Sequence, residues 1–311
     1  MVPIVRFRFY SCLPSPVSLH YPPDLFGFQL VICKYPLGFR CDLLTHKGNL
    51  ITIHETTKLP VETSKLSDKE DGKTMSGKSY SIDAEVFRDF PGYTRGVVIA
   101  LGVTNIESPE DLIGLLREAE TFLRGRLKKD AITTDPHIAS WREAFRAFGA
   151  KPAKFRPSIE AMVRRVLNDH QLPSINALVD IGNIVSLRHL VPVGGHAIDV
   201  VKEDIVLRKA TGQEAFVPFG SDQTEHPEPG EIIFAEGNTV LTRRWSWRQA
   251  NHTLTLMSTA DIEFNIDGLP PVSRDDVEAM CHEMMDLVDR FCGGKLRYDI
   301  LSQENPKIAL I

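Results

Sequence analysis

Between Trp141 and Ile266 the hydrophobic period of this chain changes once, and the change falls at a pair of glycines. From Trp141 to Leu187 apolar residues recur at helical spacing. From Ile205 to Ile266 they alternate or run in short blocks. Helices followed by closely spaced strands imply an α+β chain with antiparallel pairing. Two pieces flank the switch. The first is Pro173-Ser-Ile-Asn-Ala-Leu-Val-Asp-Ile-Gly-Asn183, whose Asp180 and Asn183 lie three residues apart on one helix face. The second is Pro192-Val-Gly-Gly-His-Ala-Ile-Asp199, which brings His196 after two glycines. A carboxylate, an amide and an imidazole are thereby expected to converge on one pocket. A second reading stays open, in which Asp180 and Asn183 cap or bridge to a neighbouring loop.

Composition narrows the function classes. At 311 residues and 42% hydrophobic, the chain can bury a core in one or two domains. The net charge of -5 excludes a bulk basic signature, so RNA binding would need a local basic face. No apolar run reaches the ~18 residues of a membrane span. Five cysteines without a CxxC pair fit neither a disulfide framework nor a zinc ribbon. Reduced thiols, a cytoplasmic setting, no metal and no cofactor are the expectation. Cys281 lies on the apolar stripe of the last helix and reads as a packing residue.

Residues 1–74 differ from the rest. The first 41 are rich in Pro, Phe and Tyr without a period, and 56–74 are polar. The expectation is a disordered or mis-assigned extension, with translation starting at Met75. Gly72-Lys-Thr-Met-Ser-Gly-Lys-Ser79 fits the phosphate-cradling pattern G-x-x-x-x-G-K-[ST]. That chemistry needs a strand before the loop and a helix after it. Neither is indicated here, so no nucleotide cofactor is expected.

Residues 75–294 read as one domain: a helix-rich part (80–190), a strand-rich part (196–268) and a closing helix (274–292), followed by a loosely held tail (295–311). The β-branched run Thr94–Val103 is a buried strand. Ser108 and Ser158 read as helix caps. Strands are expected over 204–210, 213–219, 232–235, 239–248, 251–259 and 261–267.

Two basic and aromatic clusters stand out. Lys151, Lys154 and Arg156 alternate with Pro152, Phe155 and Pro157, and are candidates for phosphate contact. Arg243-Arg-Trp-Ser-Trp-Arg248 suits stacking and phosphate pairing, with a stiffening cation–π cluster as the alternative. Strand alternation would put Arg243, Trp245 and Trp247 on one face and Arg244 and Arg248 on the other.

Asn176-Ala-Leu-Val-Asp-Ile-Gly-Asn183, then His196-Ala-Ile-Asp199, then Asp204-Ile-Val-Leu-Arg208 resembles the B3/B4 module of the phenylalanyl-tRNA synthetase β subunit, and the whole resembles stand-alone B3/B4-domain proteins. In the synthetase that module hydrolyses tyrosine wrongly attached to phenylalanine tRNA. The resemblance implies a β/β/α arrangement with an unusual β-sandwich flanked by helices. It implies tRNA or other RNA as partner and a possible trans-editing aminoacyl-tRNA deacylase. Ligase activity is not expected, since no aminoacylation domain is present. His196 and Asn183 become the catalytic candidates. Asp180, Thr255, Thr259 and Trp247 become substrate-binding candidates, and Lys151, Lys154, Arg156, Arg244 and Arg248 RNA-binding ones. Two departures weigh against editing. A pocket glutamate on a later strand has no counterpart in the aligned Leu254–Thr259, and the family's glycine-rich turn appears as Arg244–Arg248. The alternative is a non-catalytic small-ligand or protein-binding domain. The sequence leaves the oligomeric state open.

Overall fold

The computed structural model describes residues 77–310 and the backbone of two short strands, β1 (Cys41–Leu44) and β2 (Leu50–Ile53), which pair antiparallel with each other. The remaining expectations for residues 1–74, and for a start at Met75, lie outside the described residues. At the end of the phosphate-loop pattern, Ser79 opens strand β3 (Ser79–Ile82) instead of a helix, and its amide donates to Asp204 at 2.8 Å.

Then follow α1 (Ala84–Asp89), β4 (Thr94–Leu101), α2 (Glu110–Arg126), α3 (Pro136–Ala147), α4 (Ser158–Leu167) and α5 (Ala177–His189). After the glycines come β5 (Val193–Ala197), β6 (Ile205–Lys209), β7 (Ile232–Glu236), β8 (Thr239–Arg243), β9 (Arg248–Gln249) and β10 (Asp261–Gly268). The chain closes with α6 (Arg274–Cys292), β11 (Lys295–Leu301) and β12 (Lys307–Ala309).

The strands form a four-stranded sheet, order β11-β4-β10-β5, and a six-stranded sheet, order β12-β3-β6-β7-β8-β9. All pairs in both are antiparallel except β3 with β6. The segment after Lys295 is therefore not loosely held: β11 completes one sheet and β12 the other. Its short strands lack the apolar runs that mark β4, and only cross-strand partners show their place.

The register decides which side chains meet. On one face of the four-stranded sheet lie Val193, Ile262, Phe264, Ile266, Val98 and Gly96. Helices α5 and α6 cover this face: Gly182 of α5 approaches Val193 and Phe264, and Cys281 of α6 lies against Gly96. A Cβ on Gly96 would stand 2.3 Å from the Cys281 sulfur, so only glycine admits the helix here. Cys281 is buried, and burial pushes its thiol up to about 12, as suits a packing residue.

The opposite face carries Arg95, Val97, Ile99, His196, Glu263, Asn265 and Asp267. It turns toward the six-stranded sheet, where Phe234 lies 5.1 Å from the His196 ring and 5.3 Å from the Arg95 guanidinium. A polar strand face is thus enclosed between two sheets.

Several local expectations are corrected. Ser108 does not cap α2; its hydroxyl donates to Asp180 at 2.6 Å. Ser158 is the first residue of α4, and its side chain makes no cap bond. Residues 213–219 form only isolated bridges, of Ala215 with Thr239, Phe216 with Glu225 and Pro218 with Ala250. Residues 251–259 are loop and turns. Leu256 and Met257 are exposed there, and the carbonyls of Thr253, Thr255 and Leu256 accept from Gln249, Asn176 and Asn105 in place of a ladder.

Candidate functional site

Two places collect the residues singled out by the sequence. The first is the seam between the sheets. His196 is 2% exposed, with Nδ1 2.6 Å from the Thr253 hydroxyl and Nε2 3.2 Å from that of Thr242. Burial, then the charges of Arg95 and His252, lower its pKa to about 3, so the imidazole is neutral. Directly opposite on β10 stands Glu263, fully buried. Burial pushes its carboxyl up to about 8, against the pull of Arg95. One of its oxygens accepts from Asn265 at 3.2 Å; the other has no partner among the described residues.

Deeper in the seam, Arg95 grips Asp267 through two nitrogens, at 2.6 and 3.1 Å. Tyr93 donates to the same carboxylate at 2.5 Å, and Arg95 donates to Tyr80 at 2.7 Å. Burial raises both tyrosines well above the ordinary phenol value. Such a network is satisfied internally and fixes the two sheets in one arrangement.

The proposed meeting of His196 with Asn183 does not occur. Asn183 belongs to α5, which packs on the sheet face bearing Phe264. His196 projects from the other face. The β-strand alternation behind that separation cannot be read from a helix and a loop considered apart.

Asp180 is also displaced from the role of substrate ligand. Its carboxylate is buried and accepts from Ser108, Ser174 and the Ile175 amide. Burial raises its pKa, opposed by those donors, and the group bridges α5 to the turn before α2 as the second reading foresaw. Thr255 and Thr259 are buried; Thr259 accepts from the Leu256 amide within its own turn. Thr255 lies 3.4 Å from the Gly195 carbonyl, on the edge of β5 beside His196.

Glu263 is the residue that sequence reasoning passed over, and it stands directly opposite the histidine on β10. Glu263, Asn265 and Asp267 alternate with Ile262, Phe264 and Ile266, a pattern that reads as a half-exposed strand. Nothing local says that a second sheet covers the polar side.

The second place is at the surface. Here the structure joins the two basic clusters. The loop 151–157 docks on the turn after β8, with the Ser158 amide donating to the Ser246 carbonyl at 2.9 Å. Phe155 meets Trp247 edge-on at 4.9 Å, and the Arg244 guanidinium lies 3.7 Å from the Phe155 centroid and 4.6 Å from that of Trp247.

The expected alternation through 243–248 fails. Arg244 and Trp245 both have positive φ, 47° and 63°, which reverses the chain after β8. That conformation costs non-glycine residues roughly 1–2 kcal/mol each. The offset is Trp245, buried edge-on against Phe90, Tyr93 and Trp141 at 4.8, 4.8 and 5.1 Å. The turn after β8 is thus occupied by a core anchor.

The turn also redistributes the charges. Arg243 is buried on Glu231, and Arg244, 6% exposed, lies 3.3 Å from the same carboxylate. Arg248 is half-buried, 3.4 Å from Glu225. Arg244 is therefore a support for the aromatic stack and is not presented to a ligand. Lys151, Lys154 and Arg156 are exposed, and none has a carboxylate partner among the described residues.

Residues 140–293 match the family model of the B3/4 domain, and the chain is a B3/B4-domain protein. Among the described residues, its two large sheets and six α-helices make it a mixed α+β fold. Among solved structures it is similar to an N-terminal fragment of the phenylalanyl-tRNA synthetase β subunit from Pyrococcus horikoshii, at 13% identity and TM-score 0.36 over 74% of this chain. The match covers 53% of that fragment, so the chain spans about half its length. No curated protein matches the sequence. Among the described residues no helix is long and apolar enough to cross a membrane.

Proposed function

We propose that this B3/B4-domain protein binds RNA, of the transfer-RNA class, through the loop Lys151–Arg156 seated on Trp247. One observation carries the reading. Two basic and aromatic stretches about ninety residues apart in sequence form one surface, in which the loop that carries three exposed cations, without carboxylate partners among the described residues, also carries Phe155 of a partly exposed aromatic pair. Cations track phosphates, and an aromatic face offers a stacking platform for an unpaired base. Arg244, locked by Glu231, stiffens the platform, so little ordering remains to be done on binding.

The test is tRNA binding followed by fluorescence anisotropy across a salt series. Wild type is expected to weaken linearly in log–log form. The triple variant Lys151→Ala, Lys154→Ala, Arg156→Ala should lose about two units of that slope, at roughly 0.7–0.9 per phosphate contact. An unchanged slope in the triple variant, or no binding by wild type, overturns the proposal.

A second reading is favoured by Glu263 beside His196. In it the seam receives the aminoacyl end of a mischarged tRNA, and neutral His196 orients the attacking water or donates to the ester carbonyl. The partnerless Glu263 oxygen would hold a polar group of the amino acid. Its test is deacylation of several mischarged tRNAs. Turnover should vanish in His196→Ala and survive in Asn183→Ala, which lies across the sheet. Equal rates in wild type and His196→Ala leave a binding protein without this chemistry.

A further inference from the structure

Strand β11 forms one side of the four-stranded sheet, and no strand among the described residues pairs with its outer edge. It is seven residues long, Lys295–Leu301. In an antiparallel ladder alternate residues turn their N–H and C=O toward the neighbour and away from it. The Ile300 carbonyl accepts from the side-chain amide of Asn305, in the turn beyond β11, at 3.0 Å, so the even-numbered residues point outward. The rest of the sheet has the same phase. The Asp261 carbonyl and the Asp267 amide serve the β5 side, so β10 bonds β4 through even-numbered residues of both, and β4 bonds β11 through odd-numbered ones. Leu296 and Tyr298 thus hold out both backbone groups, and Ile300 its amide, to no partner among the described residues. An open edge of this kind is a template for another strand unless proline or like charge blocks it. Residues 295–301 contain no proline, and their charges are of both signs.

The order of the side chains says which strand fits. Lys-Leu-Arg-Tyr-Asp-Ile-Leu is complementary to its own reverse about Tyr298. A second copy laid antiparallel sets Tyr298 against its counterpart, Leu296 against Ile300, and Arg297 against Asp299. Apolar, aromatic and opposite-charge pairs directly across a ladder are the favourable ones. In this register each outward amide meets an outward carbonyl, and the Ile300 carbonyl accepts with its second lone pair. Within one chain Arg297 already pairs with Asp299, and both are partly exposed, so across the axis the two pairs form one network of alternating sign.

The helices leave room for this. Val277 and Cys281 seat α6 over Gly96 of β4. Three strand spacings, about 14 Å, separate β4 from its counterpart. That exceeds the roughly 8–10 Å of packed helices, so the two copies of α6 clear each other. The exposed His282, its ring 4.8 Å from that of Tyr298, lines the space between them.

We propose that β11 is the interface between two copies of this chain, joined edge to edge about a two-fold axis at Tyr298 into one continuous sheet. Such an interface is isologous and closes at the dimer.

The experiment follows the full chain by sedimentation velocity over a concentration series, with hydrogen exchange as the second readout. Wild type should show a reversible monomer–dimer equilibrium, and the amides of Leu296 and Tyr298 should gain protection as concentration rises. Leu296→Pro deletes an outward donor, spares the bonds to β4, and should weaken the dimer at least about tenfold. Asp299→Arg sets like charges against each other and should weaken it severalfold. Arg297→Asp combined with Asp299→Arg should recover most of that loss, which a defect in folding would not. A monomer at every concentration, a dimer unchanged in Leu296→Pro, or a folded double variant that recovers nothing overturns the proposal. Equal protection of the two amides in the dilute monomer also overturns it, and gives the edge to another segment of the same chain.

Discussion

The seam between the sheets and the surface around Trp247 use the same residue types to opposite ends. In the seam, Arg95 is 1% exposed and gives its guanidinium to Asp267 and Tyr80. At the surface, Lys151, Lys154 and Arg156 keep their charge in water. The two places are in contact through one side chain. Trp245 donates to Tyr93 at the seam at 3.4 Å, while its neighbours Arg244 and Trp247 build the surface platform. Charge inside makes the sheet arrangement unique; charge outside remains available to a partner.

The comparison breaks first at Arg95. Arg95→Ala leaves Asp267 buried without its partner, and the expected loss is about 3–5 kcal/mol in urea unfolding. A loss below 1 kcal/mol would mean that the seam is not held by its ion pair.

Glu263→Gln sharpens the contrast through pH. The folded protein keeps this carboxyl protonated up to about 8, whereas the ordinary glutamate value is 4.5. Between those values the native state binds the extra proton, so stability falls as pH rises, by up to about 1.4 kcal/mol per pH unit. His196 has the opposite sign: held near 3 against 6.5, it adds stability as pH rises from 3 to 6.5. The two slopes offset between 4.5 and 6.5, and above 6.5 only that of Glu263 remains. Wild type should therefore lose stability from pH 6.5 to 8 in thermal unfolding, and Glu263→Gln should lose much less. Parallel profiles would place Glu263 in water.

Trp247→Ala tests the surface. It should weaken tRNA binding by about 1–3 kcal/mol, the worth of one stacked base, in anisotropy titrations. The smallest effect belongs to Lys154→Ala, expected within about 0.5 kcal/mol of wild-type stability. A larger loss would make the loop part of the core and not a free surface.

Much of this was legible beforehand. The run Thr94–Val103 holds the central strand β4 (Thr94–Leu101), Ser273 caps the closing helix with Asp276, and Cys281 packs. The two basic clusters were visible separately. Their union was not, because residues 244–245 leave strand geometry, and only the burial of Trp245 against three aromatic rings accounts for that. The strand over 251–259 failed for a related reason: its alternation matches a ladder, but neighbouring asparagines and Gln249 had already claimed its carbonyls.

Local order fixed the kind of the main helices and of strands β4, β6, β7 and β10, the switch from helices to strands at Gly194-Gly195 and the B3/B4 character, since periodicity and short motifs are properties of neighbouring residues. Tertiary structure alone decided that His196 faces Glu263 and not Asn183, and that Arg244 is a support while Lys151 is free. Those outcomes depend on which strand face is covered by helices and which by the second sheet, and that is settled by partners distant in sequence.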